Sequence, residues 1–298
     1  MSNSSAKRKY LIPLCVLLAA LLVFVCIAVA KRLFAGKQPP AVATPATGSL
    51  EIFMLDVGQG EAVLAIYPDG YTLLIDCGPE ASSRELVAAV KAQGVTRIDT
   101  LILSHSHSDH TGGLRYLLRN MPVGEALLAG HPESYSLVTP LLSKQHVPFR
   151  YVNEGDALPG SENVKAELFN PPANAGAAEE NELSAVIRIT CGRTSVLFAG
   201  DAGYEAESRM LALYARSRLR SNVLLVGHHG ASTSSSLSFL KAVSPTVALI
   251  SVGRDNEYGH PHAETLKRLQ LVGAEVHTTA GEGTVHVRLD GNRVTVIK

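Results

Sequence analysis

Short apolar runs separated by turn residues begin at residue 51 and continue to the end of the chain. The first three predict strands at 51–57, 62–67 and 71–75, with a Pro-Asp-Gly turn between the last two. Further runs predict strands at 100–103, 125–128, 147–151, 164–169, 184–190, 194–199, 222–226, 247–250, 284–289 and 293–297. Both halves of this region are therefore rich in β-structure.

Segments with helical signals lie between these strands. A capping box at Ser82 and Glu85 predicts a helix over 82–93. Strand-rich meanders in both halves, each followed by helices, predict two sheets packed together with helices outside. We therefore expect one α/β (α+β) domain over residues 49–298. The other predicted helices are 113–120, 203–216, 235–242 and 263–271.

Residues 11–30 form an uncharged apolar run, which as a helix at ~1.5 Å per residue is long enough to cross a ~30 Å hydrocarbon core. A short basic tail, 1–10, precedes it, and a linker rich in Ala and Pro, 31–48, follows it. This pattern predicts one transmembrane helix in the cell membrane, and the short tail favours an extracytoplasmic domain. The alternative is a signal peptide cleaved after Ala28-Val29-Ala30, which would release a secreted domain.

Composition excludes several classes of protein. The 27 basic and 27 acidic side chains cancel, so no overall charge attracts nucleic acid or an anionic membrane. Apolar residues make up 46% of the chain and charged residues 18%, which excludes wholesale disorder. Two of the four Cys lie in the apolar run, and Cys77 and Cys191 are far apart. A disulfide scaffold and a Cys-ligated zinc finger are therefore both excluded.

The segment His105-Ser106-His107-Ser108-Asp109-His110 carries the chemistry of the chain. It follows the strand predicted at 100–103, so it leaves the carboxyl end of a strand as a loop. Its ligand-type side chains can form two half-sites for two cations a few ångströms apart. The alternative is a solvated polar loop, but three His and one Asp within six residues after a buried strand argue against it.

Three later motifs stand where a strand gives way to a loop, which is where α/β sites gather their polar groups. Asp201 ends one strand and is well placed to bridge two metals. Gly227-His228-His229-Gly230 ends the strand at 222–226, and Gly259-His260-Pro261-His262 precedes the helix at 263–271. We expect all three motifs to meet the histidine-rich loop.

These motifs resemble those of the metallo-β-lactamase superfamily of hydrolases. Within it, six segments in order resemble the soluble hydrolase domain of ComEC-type DNA-uptake (competence) proteins, and the match spans residues 48–298. The resemblance implies a four-layer αββα metallo-β-lactamase sandwich with a dinuclear site at the sheet edge. The six segments are Leu55-Asp56-Val57-Gly58-Gln59-Gly60, Leu74-Ile75-Asp76-Cys77-Gly78, Leu103–Gly113, Phe198-Ala199-Gly200-Asp201, Gly227-His228-His229-Gly230-Ala231-Ser232 and Tyr258-Gly259-His260-Pro261.

The resemblance implies a set of metal ligands. It assigns His105 and His107 to a first metal, Asp109 and His110 to a second, and Asp201 to the bridge between them. Imidazole and carboxylate without thiolate suit Zn²⁺ or Mn²⁺, so two divalent transition-metal ions are the expected cofactors.

The remaining histidines are expected to divide between ligation and catalysis. The resemblance assigns His260 as the last ligand of the second metal and places His228 or His229 at the scissile group, and these two roles could be exchanged. His228 or His229 would stabilise developing charge or protonate the leaving group, and Asp109 would orient the attacking water.

The chain departs from the superfamily pattern in two respects. Members commonly supply a third His to the first metal from a strand between Asp109 and Asp201. This chain has Glu180-Asn181-Glu182-Leu183-Ser184 there, so the first metal would be held loosely or completed by water. It also has one predicted anchor instead of the many spans of an uptake channel, so transport is not implied.

These assignments predict a membrane-anchored hydrolase that attacks its substrate with hydroxide from metal-bound water. The first hypothesis is a phosphodiesterase or nuclease, acting on a small-molecule phosphodiester or single-stranded nucleic acid. The second is hydrolysis of another ester, a thioester or a lactam, and the third is a metal-free binding domain. Four arginines between 209 and 220 are either a track for a phosphate backbone or a solvated helix face.

Overall fold

The computed structural model describes residues 48–174, 176 and 178–297. The predicted tail, anchor and most of the linker lie outside the described residues. Within the described part of the chain, no helix combines the length and the apolar character needed to cross a membrane.

The first sheet has eight strands, which are β1 (Leu50–Met54), β2 (Val63–Ile66), β3 (Thr72–Ile75), β4 (Ile98–Leu103), β5 (Val123–Ala129), β6 (Phe149–Val152), β13 (Val285–Leu289) and β14 (Val294–Ile297). Their order in the sheet is β14-β13-β1-β2-β3-β4-β5-β6. Strands β3 to β6 run parallel to one another, and the other neighbours are antiparallel.

The second sheet has six strands, which are β7 (Val164–Asn170), β8 (Val186–Cys191), β9 (Thr194–Phe198), β10 (Val223–Leu225), β11 (Val247–Ile250) and β12 (Glu275–Thr278). Their order in the sheet is β12-β11-β10-β9-β8-β7. Strands β9 to β12 are parallel, while β7, β8 and β9 form an antiparallel meander.

Three apolar clusters show that the two sheets are the inner layers of a four-layer sandwich. One cluster joins the facing sides of both sheets, for example Ile52 with Ile187 and Leu249. The second covers the outer face of the first sheet with the helices at Ser83–Ala92, Leu114–Asn120 and Thr139–Lys144. The third covers the second sheet with the helices at Tyr204–Leu213, Leu237–Val243 and Ala263–Leu271. The helices are α1 (Ser83–Ala92), α2 (Ser108–Thr111), α3 (Leu114–Asn120), α4 (Thr139–Lys144), α5 (Tyr204–Leu213), α6 (Arg216–Leu219), α7 (Leu237–Val243), α8 (Ala263–Leu271) and α9 (Thr279–Glu282).

The αββα architecture confirms the predicted sandwich, and most predicted strands agree with observed ones to within three residues at each end. Two local predictions were wrong. The predicted helix at 203–216 is two helices, because Tyr214 and Ala215 have extended backbone between α5 and α6. The side chain of Ser82 makes no capping bond, and a 3₁₀ turn at Glu80–Ser82 precedes α1 instead.

Candidate metal centre

The carboxyl ends of five strands converge at one edge of the sandwich. In the first sheet, β3 leads to Asp76 and β4 leads to the loop that begins at Ser104. In the second sheet, β9 leads to Asp201, β10 to His228 and His229, and β11 to the loop that carries His260. Because strands β3–β4 and β9–β11 are parallel within their sheets, their loops emerge on the same side.

Two groups of donor atoms meet at this edge. In the first, one ligand atom each from His105, His107 and Asp201 lie within 4.8 Å of one another. In the second, the same holds for Asp109, His110, Asp201 and His229. Asp201 belongs to both groups.

The carboxylate of Asp201 faces a different group with each oxygen. Oδ1 lies 3.3 Å from Nε2 of His110 and 3.6 Å from Nε2 of His229. Oδ2 lies 3.8 Å from Nε2 of His105 and 3.6 Å from Nε2 of His228. A carboxylate placed in this way can serve two cations at once.

Hydrogen bonds fix the orientation of the buried imidazoles. Nδ1 of His110 lies 2.7 Å from Oδ2 of Asp76, and Nδ1 of His229 lies 2.8 Å from the carbonyl oxygen of Ser251. The Ser104 hydroxyl donates to Asp76 and lies 3.1 Å from Nδ1 of His105. Each Nδ1 therefore has a hydrogen-bond partner, which fixes the plane of its ring and directs Nε2 at the centre.

The backbone at His228 and His229 is left-handed at two consecutive residues, with φ of 51° and 52°. This conformation is strained for a residue with a Cβ. The Nδ1 bond of His229 and a bond from the His228 N–H to Gly200 O (2.9 Å) hold the turn in place. The strain is stored where two side chains must point at the same centre.

The structure does not bring His260 into either donor group. Its ring centroid lies 5.8 Å from that of His228 and 6.4 Å from that of His229, on the outer side of the site. Nε2 of His229 is instead 3.3 Å from Oδ2 of Asp109. The geometry thus favours the exchanged assignment, in which His229 completes the second group. His260 lies in the loop that follows β11, ten residues beyond the end of that strand.

The residues present fit divalent metal ions. Nε2 of His105, His110 and His229 and Oδ1 of Asp201 are buried and have no hydrogen-bond partner. Leaving buried polar atoms without partners is costly, and such atoms in a group of imidazole and carboxylate donors are suited to a transition metal.

Electrostatics keeps the two central carboxylates charged. Burial alone would raise the pKa of Asp201, but the charges of His110 and His229 hold it well below its usual value. Burial also opposes ionisation of Asp109, yet the nearby imidazoles of His229 and His110 lower its pKa to about 2. Both are therefore available as anionic ligands at neutral pH.

Two further buried carboxyls adjoin the centre, and neither was predicted from the sequence to have a role. Asp76 holds His110 and Ser104, as described above. Glu61 is buried with Oε1 unpartnered, and burial raises its pKa to about 7. The signal that could have found Asp76 is its place directly after β3, beside the strand that ends in the histidine-rich loop.

Comparison with known proteins identifies the family of this domain. The sequence profile described as "Metallo-beta-lactamase superfamily" matches residues 55–254. The chain belongs to the metallo-beta-lactamase superfamily. Competence protein ComA of Neisseria gonorrhoeae is 33% identical over 235 residues, and ComE operon protein 3 of Bacillus subtilis is 28% identical over 265 residues. The matches cover 78% and 82% of this chain but 31% and 33% of those proteins, so the chain spans about a third of their length.

Solved structures agree on the superfamily fold. The metallo-beta-lactamase fold protein YhfI from Bacillus subtilis aligns with a TM-score of 0.53 at 16% identity. The alignment covers 83% of this chain and 100% of YhfI. The resemblance to ComEC-type proteins drawn from the sequence motifs is confirmed by the competence relatives, and the superfamily fold by YhfI.

The third superfamily histidine has no counterpart in either donor group of the described residues. A 3₁₀ turn at Asn181–Leu183 occupies the expected region, and Ser184 Oγ accepts a hydrogen bond from Asp201 N–H at 3.1 Å. The neighbouring Glu180 carboxylate accepts a short hydrogen bond from Ser106. This segment therefore supports the site through hydrogen bonds to Asp201 and to the histidine-rich loop.

The arginines between 209 and 220 do not form a free track at the site. Arg209 pairs with Glu154 at 2.6 Å, and Arg218 pairs with Glu167 at 3.1 Å. Arg220 precedes the amino end of β10, whereas the donor groups lie beyond its carboxyl end. Cys77 is fully buried, and burial raises its pKa well above the usual value, so it is a packed thiol.

Proposed function

We propose that this chain is a metal-dependent phosphodiesterase or nuclease that holds two divalent transition-metal ions, Zn²⁺ or Mn²⁺. The observation that carries the proposal is the pair of donor groups sharing Asp201, with buried Nε2 atoms that have no partner in the protein. His105, His107 and Asp201 would hold one ion, and the second group would hold the other. Such ions, when bound, activate water and neutralise charge on a phosphodiester.

The protein's own groups would orient and protonate the reactants. Asp109 is the most exposed carboxylate of the second group, with 34% of its side chain exposed, so it can also orient a water molecule. The His228 side chain is 28% exposed and its Nε2 lies beside Asp201, so it can exchange a proton with a substrate at that atom. His260 lies next to His228 on the same outer side and would contact the substrate.

The substrate class is supported by the motifs that resemble the ComEC-type domain and by the relative named as competence protein ComA. We propose a small-molecule phosphodiester or single-stranded nucleic acid as substrate. Residues 11–30 would anchor the domain to the cell membrane, facing outward. Other esters, thioesters and lactams are the competing substrates, and a metal-free binding domain is the competing class.

A metal assay combined with a substrate panel tests this proposal. The purified chain should contain up to two transition-metal ions and lose its activity with a chelator, recovering when Zn²⁺ or Mn²⁺ is restored. Bis-nitrophenyl phosphate and single-stranded DNA should be hydrolysed faster than a thioester or a β-lactam. If the protein binds no metal and shows no turnover after metal is added, the proposal that it is an enzyme is wrong. If it prefers the thioester or the lactam, the proposal that it is a phosphodiesterase is wrong.

A further inference from the structure

An exposed aromatic ring lies at the outer side of the candidate metal centre. Tyr258 is 59% exposed, and its ring lies 5.7 Å from the His260 ring at an interplanar angle of 24°. The His260 ring lies in turn 6.4 Å from that of His229, at 23°. Three nearly parallel rings therefore lead outward from a donor group to solvent, and Tyr258 is the last of them.

The backbone that carries Tyr258 is held in place. The Asn256 side chain donates to the carbonyl oxygens of Gly253 and His260 and accepts from the His260 N–H, at 2.7–3.0 Å. Nε2 of His262 lies 3.2 Å from the Tyr258 carbonyl oxygen. One face of the Tyr258 ring is directed to His260, and the other face is free for a ligand. Because the backbone is held on both sides, binding would cost little further conformational entropy.

We propose that Tyr258 stacks on a base that flanks the scissile phosphodiester of a single-stranded nucleic acid. This inference rests on the proposed function and names the group that would recognise its substrate outside the metal centre. Exposed aromatic rings beside a backbone-binding site are the usual platform for single-stranded bases.

Local charge favours a base over a phosphate as the partner of this loop. Asp255 and Glu257 are exposed beside Tyr258, while the guanidinium of Arg254 donates to the carbonyl oxygen of Ala280. Two carboxylates repel a phosphate but do not oppose stacking of an uncharged base. Because every base has a π-face, this contact would add affinity with little sequence preference.

Removing the bases from the substrate and the aromatic ring from Tyr258 together test the contact. The substrates are a single-stranded oligonucleotide and an abasic oligonucleotide of the same length, and the variants are Y258A and Y258F. L213A is the matched control, because Leu213 is also 59% exposed. It is the last residue of α5, ~15 Å along the helix from the first turn, which lies near the site. Binding is measured with phosphorothioate-linked versions, and hydrolysis with the natural ones.

We expect Y258A to weaken binding and kcat/KM on the base-containing strand by about 5- to 100-fold, which corresponds to the loss of one stacked base. Y258F and L213A should match the wild type, and Y258A should act like the wild type on the abasic strand. If Y258A loses binding and kcat/KM equally on both strands, or on neither, the stacking inference is wrong. Hydrolysis by the wild type would still support the phosphodiesterase proposal in that case. Failure of the wild type to hydrolyse any diester would overturn both proposals.

Discussion

Nδ1 of His110 lies 2.7 Å from Oδ2 of Asp76, and neither side chain has exposed surface. Asp76 also accepts hydrogen bonds from the Ser104 N–H and hydroxyl, at 2.7 and 2.5 Å. One carboxylate thus fixes the start of the histidine-rich loop and one of its imidazoles. Asp76 is a positioning residue in the proposed centre, because it would act on a bound metal only through His110.

Asp76→Asn should lower metal affinity by about 10- to 100-fold, the usual effect of losing such a support. An amide cannot accept hydrogen bonds at both of its terminal atoms, so His110 or Ser104 loses its partner. The measurement is a competition titration against a chromogenic chelator. Asp99→Asn is the control, since Asp99 accepts bonds from Thr72 at the far end of the same strand pair. Wild-type affinity in Asp76→Asn would show that His110 needs no support.

Asp201→Ala should remove more metal than any single histidine change. Its two oxygens face different donor groups, whereas each imidazole faces one. We expect near-complete loss of both ions in Asp201→Ala and partial loss in His105→Ala, measured as metal per chain by mass spectrometry. Retention of both ions and normal turnover would mean that Asp201 is not a bridge.

His229→Ala should lose metal, whereas His260→Ala should keep it. Nε2 of His229 lies 3.3 Å from Asp109, and His260 lies outside both donor groups. His228→Ala should keep metal and lose turnover by about 10²–10⁴-fold, the usual contribution of a general acid or base.

His262→Ala is the control for damage to the loop that carries His260, because it removes an imidazole from the same loop and outside the donor groups. Metal content of the four variants is the decisive measurement. Loss of metal from His260→Ala with retention in His229→Ala would restore the assignment that the resemblance implied.

Glu51→Gln should destabilise the domain by about 1.5–3 kcal/mol at neutral pH, the range for hydrogen bonds to a charged group. Burial would raise the pKa of Glu51, but hydrogen bonds from His286, Ser49 and Arg288 lower it to about 2. Because the pKa of Glu51 is lower in the folded state than in the unfolded state, its ionised carboxylate stabilises the folded domain at pH values above the ordinary pKa of about 4.5. The difference in unfolding free energy should therefore be complete above that pH and shrink as the pH falls towards 2.

Denaturant titrations of the wild type and Glu51→Gln across this pH range provide the measurement. Glu85→Gln, an exposed position on α1, is the matched control and should change little at any pH. A pH-independent difference for Glu51→Gln would show that the ionised carboxylate contributes no stability.

Apolar runs were sufficient to predict the sandwich because many of its strands are buried on both faces. β1 and β9 are buried at every position, and apolar residues make up most of each, with only Glu51 in β1 and Thr194 and Ser195 in β9 as exceptions. β12 was missed because its sequence is EVHT and it lies at the edge of its sheet, partly exposed. Val276 is the one apolar residue of its four, so the strand carries little apolar signal.

The candidate site could be predicted where its ligands are contiguous and only partly where they are not. Asp109 and His110 follow one strand within a single motif, so spacing alone suggested their group. The choice between His229 and His260 depends on a left-handed turn and on a loop that carries His260 away from β11. Neither feature leaves a mark in the residue pattern.

The centre is assembled from both sheets, with Asp76, His105 and His110 on one and Asp201 and His229 on the other. The distances between its donor atoms therefore depend on how the two sheets pack against each other through the shared apolar cluster, which includes Ile52 and Ile187. A core substitution far from any histidine can shift the centre without touching it. The distances between the donor atoms are therefore sensitive to the packing of the whole interface, and metal affinity can be used to detect a change in that packing.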